Sequence, residues 1–371
     1  MLMACPLGLR MIMCNILQLQ FAPMSLELPT TMRAGVLVAP RELELREFIL
    51  PRPGPGQVLV RVRATALCTW EQRTFQGIQD IKTPFVGGHE TSGVVAAVGE
   101  GVSRLQVDDR VTLGPVACDE CYYCRRGFAS RCESYLGRFS LDGTWGPWGL
   151  SEYKLVPSRA AFRIPPGLSF EEASLAEPVS CVVHSARALQ PELADDVVII
   201  GAGPMGLLNL LVLKRRGARV IVCELDAARR EKAAQLGADV VPDPRDGDFV
   251  SQVRAQTDGR GADAVVAAVG SPQVDSLAFD LVGKTGKVVL FASAHPSPPL
   301  SVDHNRIHKD EVDVLGVESK SVQDFAIAVR LLSQRLIDVR PLIDRCVPLA
   351  ELETAFELAI RPDTYRIVVT P

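Results

Sequence analysis

The chain has 371 residues, 47% of them hydrophobic and 6% aromatic, with a formal net charge of −4. That is enough apolar mass for two ordinary domains. The acidic balance and scattered basic residues exclude the electrostatic footprint of a nucleic-acid binder, and nothing in the sequence predicts a membrane span.

Residues 1–31 differ from the rest. Six of the seven Met residues fall at or before Met32, and Arg10 is the one basic residue before position 27. Arg10, Asn15, Gln18 and Gln20 interrupt the apolar run, and no basic residue precedes it, so a signal peptide is not expected. This stretch reads as a disordered extension or an overcalled start, and the fold is expected to begin near Met32. From there the chain predicts short strands. Val58–Ala64 alternates apolar and polar after the turn-rich Pro51–Gly56, and residues 84–115 continue with Val and Gly between turns. Together they predict an antiparallel, β-rich first domain.

Next come four cysteines, Cys118, Cys121, Cys124 and Cys132, at spacings of three, three and eight. The pattern suits a closed tetrahedral cage around one structural zinc. A disulfide framework, an iron–sulfur cluster or a vacant site are the alternatives. Cys68 stands alone upstream, and Cys181, Cys223 and Cys346 read as buried free thiols in apolar surroundings. This thiol usage suits a reducing, cytoplasmic compartment.

The character changes near residue 175. An apolar strand at 196–200 runs into Gly201-Ala-Gly203-Pro-Met205-Gly206. A helix is predicted from Pro204 to Arg216, a strand from Arg219 to Glu224 and a helix from Ala227 to Leu236. Buried strands follow at 263–270 and 286–292. This alternation predicts a doubly wound parallel sheet, making the chain α/β overall. The glycines sit where a dinucleotide fingerprint needs them. Gly201 makes the tight turn, Gly203 lets the backbone approach a pyrophosphate, and Gly206 lets helix and strand pack closely. Glu224, 18 residues past Gly206, can accept hydrogen bonds from ribose hydroxyls and would repel a 2′-phosphate. NAD is therefore expected over NADP, although Arg229 and Arg230 leave NADP open. Helices at 322–334 and 350–361 and a strand at 366–370 complete the chain.

The Cys run, Gly87-Gly88-His89-Glu90, Cys68, Glu177 in Leu175-Ala-Glu-Pro-Val and the fingerprint together resemble the zinc-containing medium-chain dehydrogenase/reductases, above all the sorbitol and threonine dehydrogenase branch. The likeness runs from Met32 to the C-terminus. It implies a Rossmann domain at 177–316, a β-rich GroES-like catalytic domain at 32–176 carrying the structural zinc loop, and a return of 317–371 to that catalytic domain. It also implies a homodimer or homotetramer. A catalytic zinc would be held by Cys68 and His89, with Glu90 in the resting site and Glu177 bound directly or through water. Met205 belongs to the cofactor fingerprint. Arg229 would pack on adenine, and the backbone near Val269 and Phe291–Ser293 would lie along the nicotinamide.

Several positions depart from the family. Trp70 and Arg73 replace the usual hydroxyl and histidine of the proton relay, Thr69 carries its hydroxyl one place early, and Glu71 replaces the Asp that orients the ligating His. The Arg-Tyr pair expected after Gly316 is absent. Trp145 and Trp148 are candidates for the substrate cleft or for loop packing. The expected activity is hydride transfer between a small secondary alcohol (polyol, cyclitol or sugar) and NAD. The alternatives are a threonine-like or simple alcohol dehydrogenase, or a non-catalytic NAD-binding homologue that lost the relay.

Overall fold

The computed structural model describes residues 28–134, 140–297 and 299–371. The extension expected at the N-terminus lies outside these residues as far as position 27, and the first strand, Thr31–Ala39, begins one residue before Met32. The alternating run falls inside strand Gln57–Ala66. This strand is more buried than alternation predicts because it pairs with three others: Glu90–Val98, Tyr153–Pro157 and Arg366–Thr370. It forms the middle of a seven-stranded sheet whose path runs Ile343–Pro348, Arg366–Thr370, Gln57–Ala66, Glu90–Val98, Arg110–Leu113, Ala161–Arg163. Only the first pair on that path is parallel. The last strand of the chain is thus hydrogen-bonded to the strand leading into Cys68.

The second sheet is wholly parallel, in the order Arg219–Cys223, Asp196–Ile200, Ala262–Ala267, Val282–Leu290, Asp313–Gly316. Strand Asp196–Ile200 is buried along its whole length, as expected of a strand covered on both faces. A parallel bridge from Ile221 to Val240 extends the Arg219–Cys223 edge. Counting Val240 as the third strand gives the order 3-2-1-4-5-6, which reverses between Asp196–Ile200 and Ala262–Ala267. The crevice at the carboxyl ends of those two strands is where such sheets bind dinucleotides. Helix Pro204–Arg215 opens there with Pro at its first position and Gly203 as its cap residue.

Helix Ala176–Leu189 links the two sheets and is buried on most sides. It packs on helix Val322–Ser333 through Asp324, which accepts from His184 Nδ1 at 3.0 Å and from Arg187. Asp324 also closes a capping box with Ser321. Burial alone would raise its pKa, but the hydrogen bonds from His184, Ser321 and Arg187 prevail and hold it well below the usual carboxylate range. Trp148 is in the core rather than at a cleft. It is fully buried, with its ring edge-on to Phe48 at 5.0 Å. Cys346 also departs from expectation: it is exposed, while Cys181 is half-buried and Cys223 buried.

Candidate active site

The four cysteines of the run converge, with all four sulfurs within 4.8 Å of one another. Backbone N–H groups point at them: Cys118 N–H donates to Cys132 Sγ at 3.2 Å and Cys121 N–H to Cys118 Sγ at 3.3 Å. N–H groups of Cys124 and Glu133 draw the Cys121 thiol down to about 6. Such donors stabilise thiolates, although burial pushes the Cys124 thiol up to about 12, and holding four sulfurs this close as thiolates would call for a cation. None of these cysteines is in a disulfide.

A second cluster is centred on His89. Gly88, with φ of 93°, turns the chain so that His89 projects inward. A Cβ at Gly88 would meet Leu150 N at 2.5 Å, so only glycine fits. Glu71, buried on the short helix Thr69–Phe75, lies 2.7 Å from His89 Nδ1 and accepts the Gly88 N–H at 3.0 Å. This contact holds the Nδ1–H tautomer and leaves Nε2 as the electron-pair donor. Nε2 faces Glu177 Oε1 at 3.8 Å. Cys68, Glu71 and His89 form one group of ligand-type atoms within 4.8 Å, and His89, Glu90 and Glu177 form another. Burial disfavours charge on His89, but Glu71 and Cys68 outweigh it and push its pKa up to about 10. A metal ion on Nε2 would answer the same surplus of negative charge. Glu90 is fully buried and neither of its oxygens has a hydrogen-bond partner, although Arg366 Nη2 lies 3.1 Å from Oε1. A buried carboxylate that has an ion-pair partner but no hydrogen-bond donor, set beside a thiol and an imidazole, is a donor set that fits zinc.

The residues expected to bind the cofactor stand at the crevice of the parallel sheet. Gly201 has φ of 102°, and a Cβ at Gly206 would strike Gly201 O at 1.9 Å, so this turn and helix require both glycines. Glu224 accepts from Ala202 N–H at 2.7 Å and from Asp226 N–H at 2.9 Å. Its carboxylate therefore braces the fingerprint turn that it faces. Arg229 borders Gly203, donates to Pro362 O and lies over the Tyr365 ring. Arg230 is turned away, held by Asp243 at 3.0 Å and by the carbonyls of Glu224 and Leu225. Val269 packs on Gly201 and is half exposed. Phe291 N–H bonds to Ala267 O. Met205 Sδ lies 3.5 Å from Arg366 Nη2, which joins the fingerprint helix to the metal cluster.

The two relay substitutions have other partners. Trp70 stands edge-on to His89 at 5.9 Å and to Phe85 at 5.6 Å. Arg73 reaches across to Ser293, donating to its Oγ at 2.8 Å and its carbonyl at 3.3 Å. Trp145 packs edge-on to Phe85, and its indole N–H donates to Lys82 O. Three cations at the site were not anticipated from the sequence. Arg366 pairs with Glu90, Lys320 Nζ donates to Glu177 Oε1, and Lys154 Nζ donates to Gly88 O at 3.3 Å. Burial pushes Lys154 down to about 7 and Lys320 to about 8. Both lysines line a cavity of about 300 Å³ with His89 and Glu177, and its lining also includes Cys118 and Ser134.

Residues 54–166 match the alcohol dehydrogenase GroES-like domain, and residues 204–334 match the zinc-binding dehydrogenase domain. D-arabitol-phosphate dehydrogenase of Enterococcus avium is 32% identical over 87% of this chain and 92% of that protein. Sorbitol dehydrogenase of Halalkalibacterium halodurans is 30% identical over 86% and 93%. A zinc-binding dehydrogenase from Sinorhizobium meliloti 1021, solved with NADP bound, superposes with a TM-score of 0.85 at 26% identity, covering 92% of this chain and all of that one.

Proposed function

The chain belongs to the zinc-binding alcohol dehydrogenases with a GroES-like domain and is an alcohol or polyol dehydrogenase, and from that membership we propose that it oxidises a secondary carbinol of a polyol, cyclitol or sugar-like substrate with NAD. The observation that carries this reading is the His89-centred cluster at the wall of the cavity, with Cys68, Glu90 and Glu177 around it. In the proposal, Cys68, His89 and Glu90 hold a catalytic zinc, with Glu177 beside them, and Cys118, Cys121, Cys124 and Cys132 hold a structural one. When bound, zinc supplies Lewis acidity to an alcohol oxygen and nicotinamide supplies the hydride acceptor.

The chain's own residues do the rest. Glu71 fixes the His89 tautomer. Glu224 and the fingerprint turn seat the adenosine half of the cofactor, and Arg73 ties the helix after Cys68 to the nicotinamide-side loop at Ser293. Trp70 has an indole that only donates, and Arg73 stays protonated, so neither accepts the alcohol proton. Glu177, whose Oε1 already accepts from Lys320, is the proposed acceptor. The choice of NAD rests on Glu224 and on the engagement of Arg230 elsewhere. The working division is a catalytic unit of 32–176 with 317–371 and a cofactor unit of 177–316. It is supported by membership of the two sheets.

A homodimer or homotetramer is the proposed assembly. Its support is the open edge of the parallel sheet at Asp313–Gly316, where Val314 is exposed. Among the described residues no helix is long and apolar enough to cross a membrane. Unpaired thiols at all eight described cysteines support a cytoplasmic setting.

The test is a cofactor-coupled screen of secondary alcohols on protein whose metal content has been measured. Two zincs per chain and reduced nicotinamide are expected. Glu177→Gln should lower kcat by about two to four orders of magnitude while zinc content and NAD affinity hold. A wild-type protein with two zincs and tight NADH binding but no turnover of any alcohol would sink the reading.

A further inference from the structure

Lys154 and Lys320 are unusual in being lysines that are almost completely buried, at 8% and 3% exposure, and in lining the same cavity as His89 and Glu177. Lys are among the residues least often fully buried unless they are paired. Lys320 has Glu177 as a partner. Lys154 has only a long hydrogen bond to Gly88 O, and among the described residues it forms no ion pair. It sits on strand Tyr153–Pro157 opposite Val60, where an apolar residue would be expected. Burial and the neighbouring Lys320 disfavour its ammonium form and Glu71 favours it, and with no carboxylate at ion-pair distance an anionic ligand in the cavity is the partner that would hold it charged.

The charge balance of the cluster points the same way. Glu90 is answered by Arg366, Glu71 by His89, and Glu177 by Lys320. Lys154 is the cation of this group that has no carboxylate at ion-pair distance among the described residues. Its Nζ lies at the carbonyl of the residue before His89, and Lys320 Nζ lies at Glu177, so both amines stand beside the proposed reacting centre.

We propose that the substrate is an anionic polyol derivative, carrying a carboxylate or a phosphate ester near the carbinol, and that Lys154, backed by Lys320, holds that anion. This rests on the dehydrogenase reading above and narrows its substrate class. A neutral polyol fills the same space but leaves Lys154 unpaired. Specificity follows because a buried polar group left without its partner penalises the wrong substrate heavily.

The experiment compares matched sets on one carbon skeleton with the zinc-loaded enzyme: glycerol, glycerate and glycerol 3-phosphate, then sorbitol, gluconate and sorbitol 6-phosphate. At least one anion should exceed its neutral parent in kcat/KM by about ten-fold or more, the range of a hydrogen bond to a charged group. Whether the acid or the phosphate leads identifies the anion. Lys154→Met should collapse the ratio, and Lys154→Arg, which keeps the charge, should preserve most of it and control for folding. Calorimetric titration of the NADH complex with gluconate and sorbitol 6-phosphate reads binding without turnover. Anion binding that requires Lys154, with no turnover of any compound, supports Lys154 as an anion site but overturns the reading of that anion as a substrate. Turnover of neutral polyols at equal or better kcat/KM supports the dehydrogenase reading and overturns this inference. An anion preference that survives Lys154→Met also overturns it, and absence of both binding and turnover overturns both.

Discussion

Replacing Arg366 with Met tests the buried pair beneath the proposed metal site. The Arg366 side chain is 1% exposed and that of Glu90 is 0%, with Nη2 and Oε1 3.1 Å apart. At an effective dielectric near 20, unit charges at this separation attract by about 5 kcal/mol, and desolvation of both groups offsets much of that gain. The informative quantity is therefore what happens when one partner leaves. Glu90 is left as a buried charge, which typically destabilises by about 3–5 kcal/mol. Met fills the space of the Arg stem but also loses the hydrogen bond to Leu67 O at 3.0 Å, about 1 kcal/mol more. The midpoint of thermal unfolding should fall by about 5–8 °C for a chain of this length. The loss should be larger in zinc-free protein, because a metal ion at Glu90 supplies the missing counter-charge. Adding Glu90→Gln should restore most of the stability, since removing both charges is far less harmful than removing one. Scanning calorimetry of the single and double variants, with and without chelator, provides the readout. A zinc-free Arg366→Met protein that loses under about 1 kcal/mol, or a double variant no more stable than the single, would refute the pairing argument.

Three further outcomes are expected. Cys121→Ser should lose one zinc per chain by elemental analysis and unfold at lower temperature, because structural zinc contributes folding energy, whereas Cys68→Ala should lose the other zinc and all turnover while remaining folded. Glu224→Ser should narrow or reverse a preference for NAD in kcat/KM, and an unchanged ratio would move cofactor choice to Arg229. Asp324 has a folded pKa held below its unfolded value of about 3.9, so its stabilisation is complete above that value and is lost as pH falls through the folded one. Asp324→Asn should therefore remove about 2–3 kcal/mol at pH 7 and flatten the loss of stability below about pH 4, followed by thermal unfolding as pH is lowered through that range.

The sequence was most informative where function is written locally. The four cysteines lie within 15 residues and the fingerprint within six, so each could be read as a unit, and the structure brings each together. Glu71 was legible as the partner of His89 only through the family resemblance, in which an acid at this place orients the ligating His, and helix Thr69–Phe75 carries it there. The cations were harder. Arg366 meets Glu90 from the other end of the chain, and no local pattern predicts which strand lies beside which. A signal was nevertheless present. Lys154 and Arg366 are each a lone charge followed by an apolar strand, Leu155-Val156 and Ile367-Val368-Val369, and such a charge asks for a buried partner. Lys320 stands in the Gly316–Lys320 segment, where departure from the family pattern was noticed but its consequence could not be placed. Trp148 takes the second of its two readings, loop packing: the glycines around it let the loop fold onto Phe48 and bury it.

The position of the last strand has a consequence for how the protein is made. Arg366–Thr370 pairs with Gln57–Ala66 across nearly the whole chain, and Arg366 bonds to Leu67 O across 299 positions. The parallel sheet is contiguous from Asp196 to Gly316 and holds all its strands before Arg366–Thr370 is made. It can consolidate while that strand is still to come, because domains fold as units during translation. The antiparallel sheet has no such freedom. Its central strand waits for Arg366–Thr370, and closing so long a loop makes that pairing slow. Glu90 meanwhile lacks its cation, so the proposed metal site is completed only when Arg366 arrives.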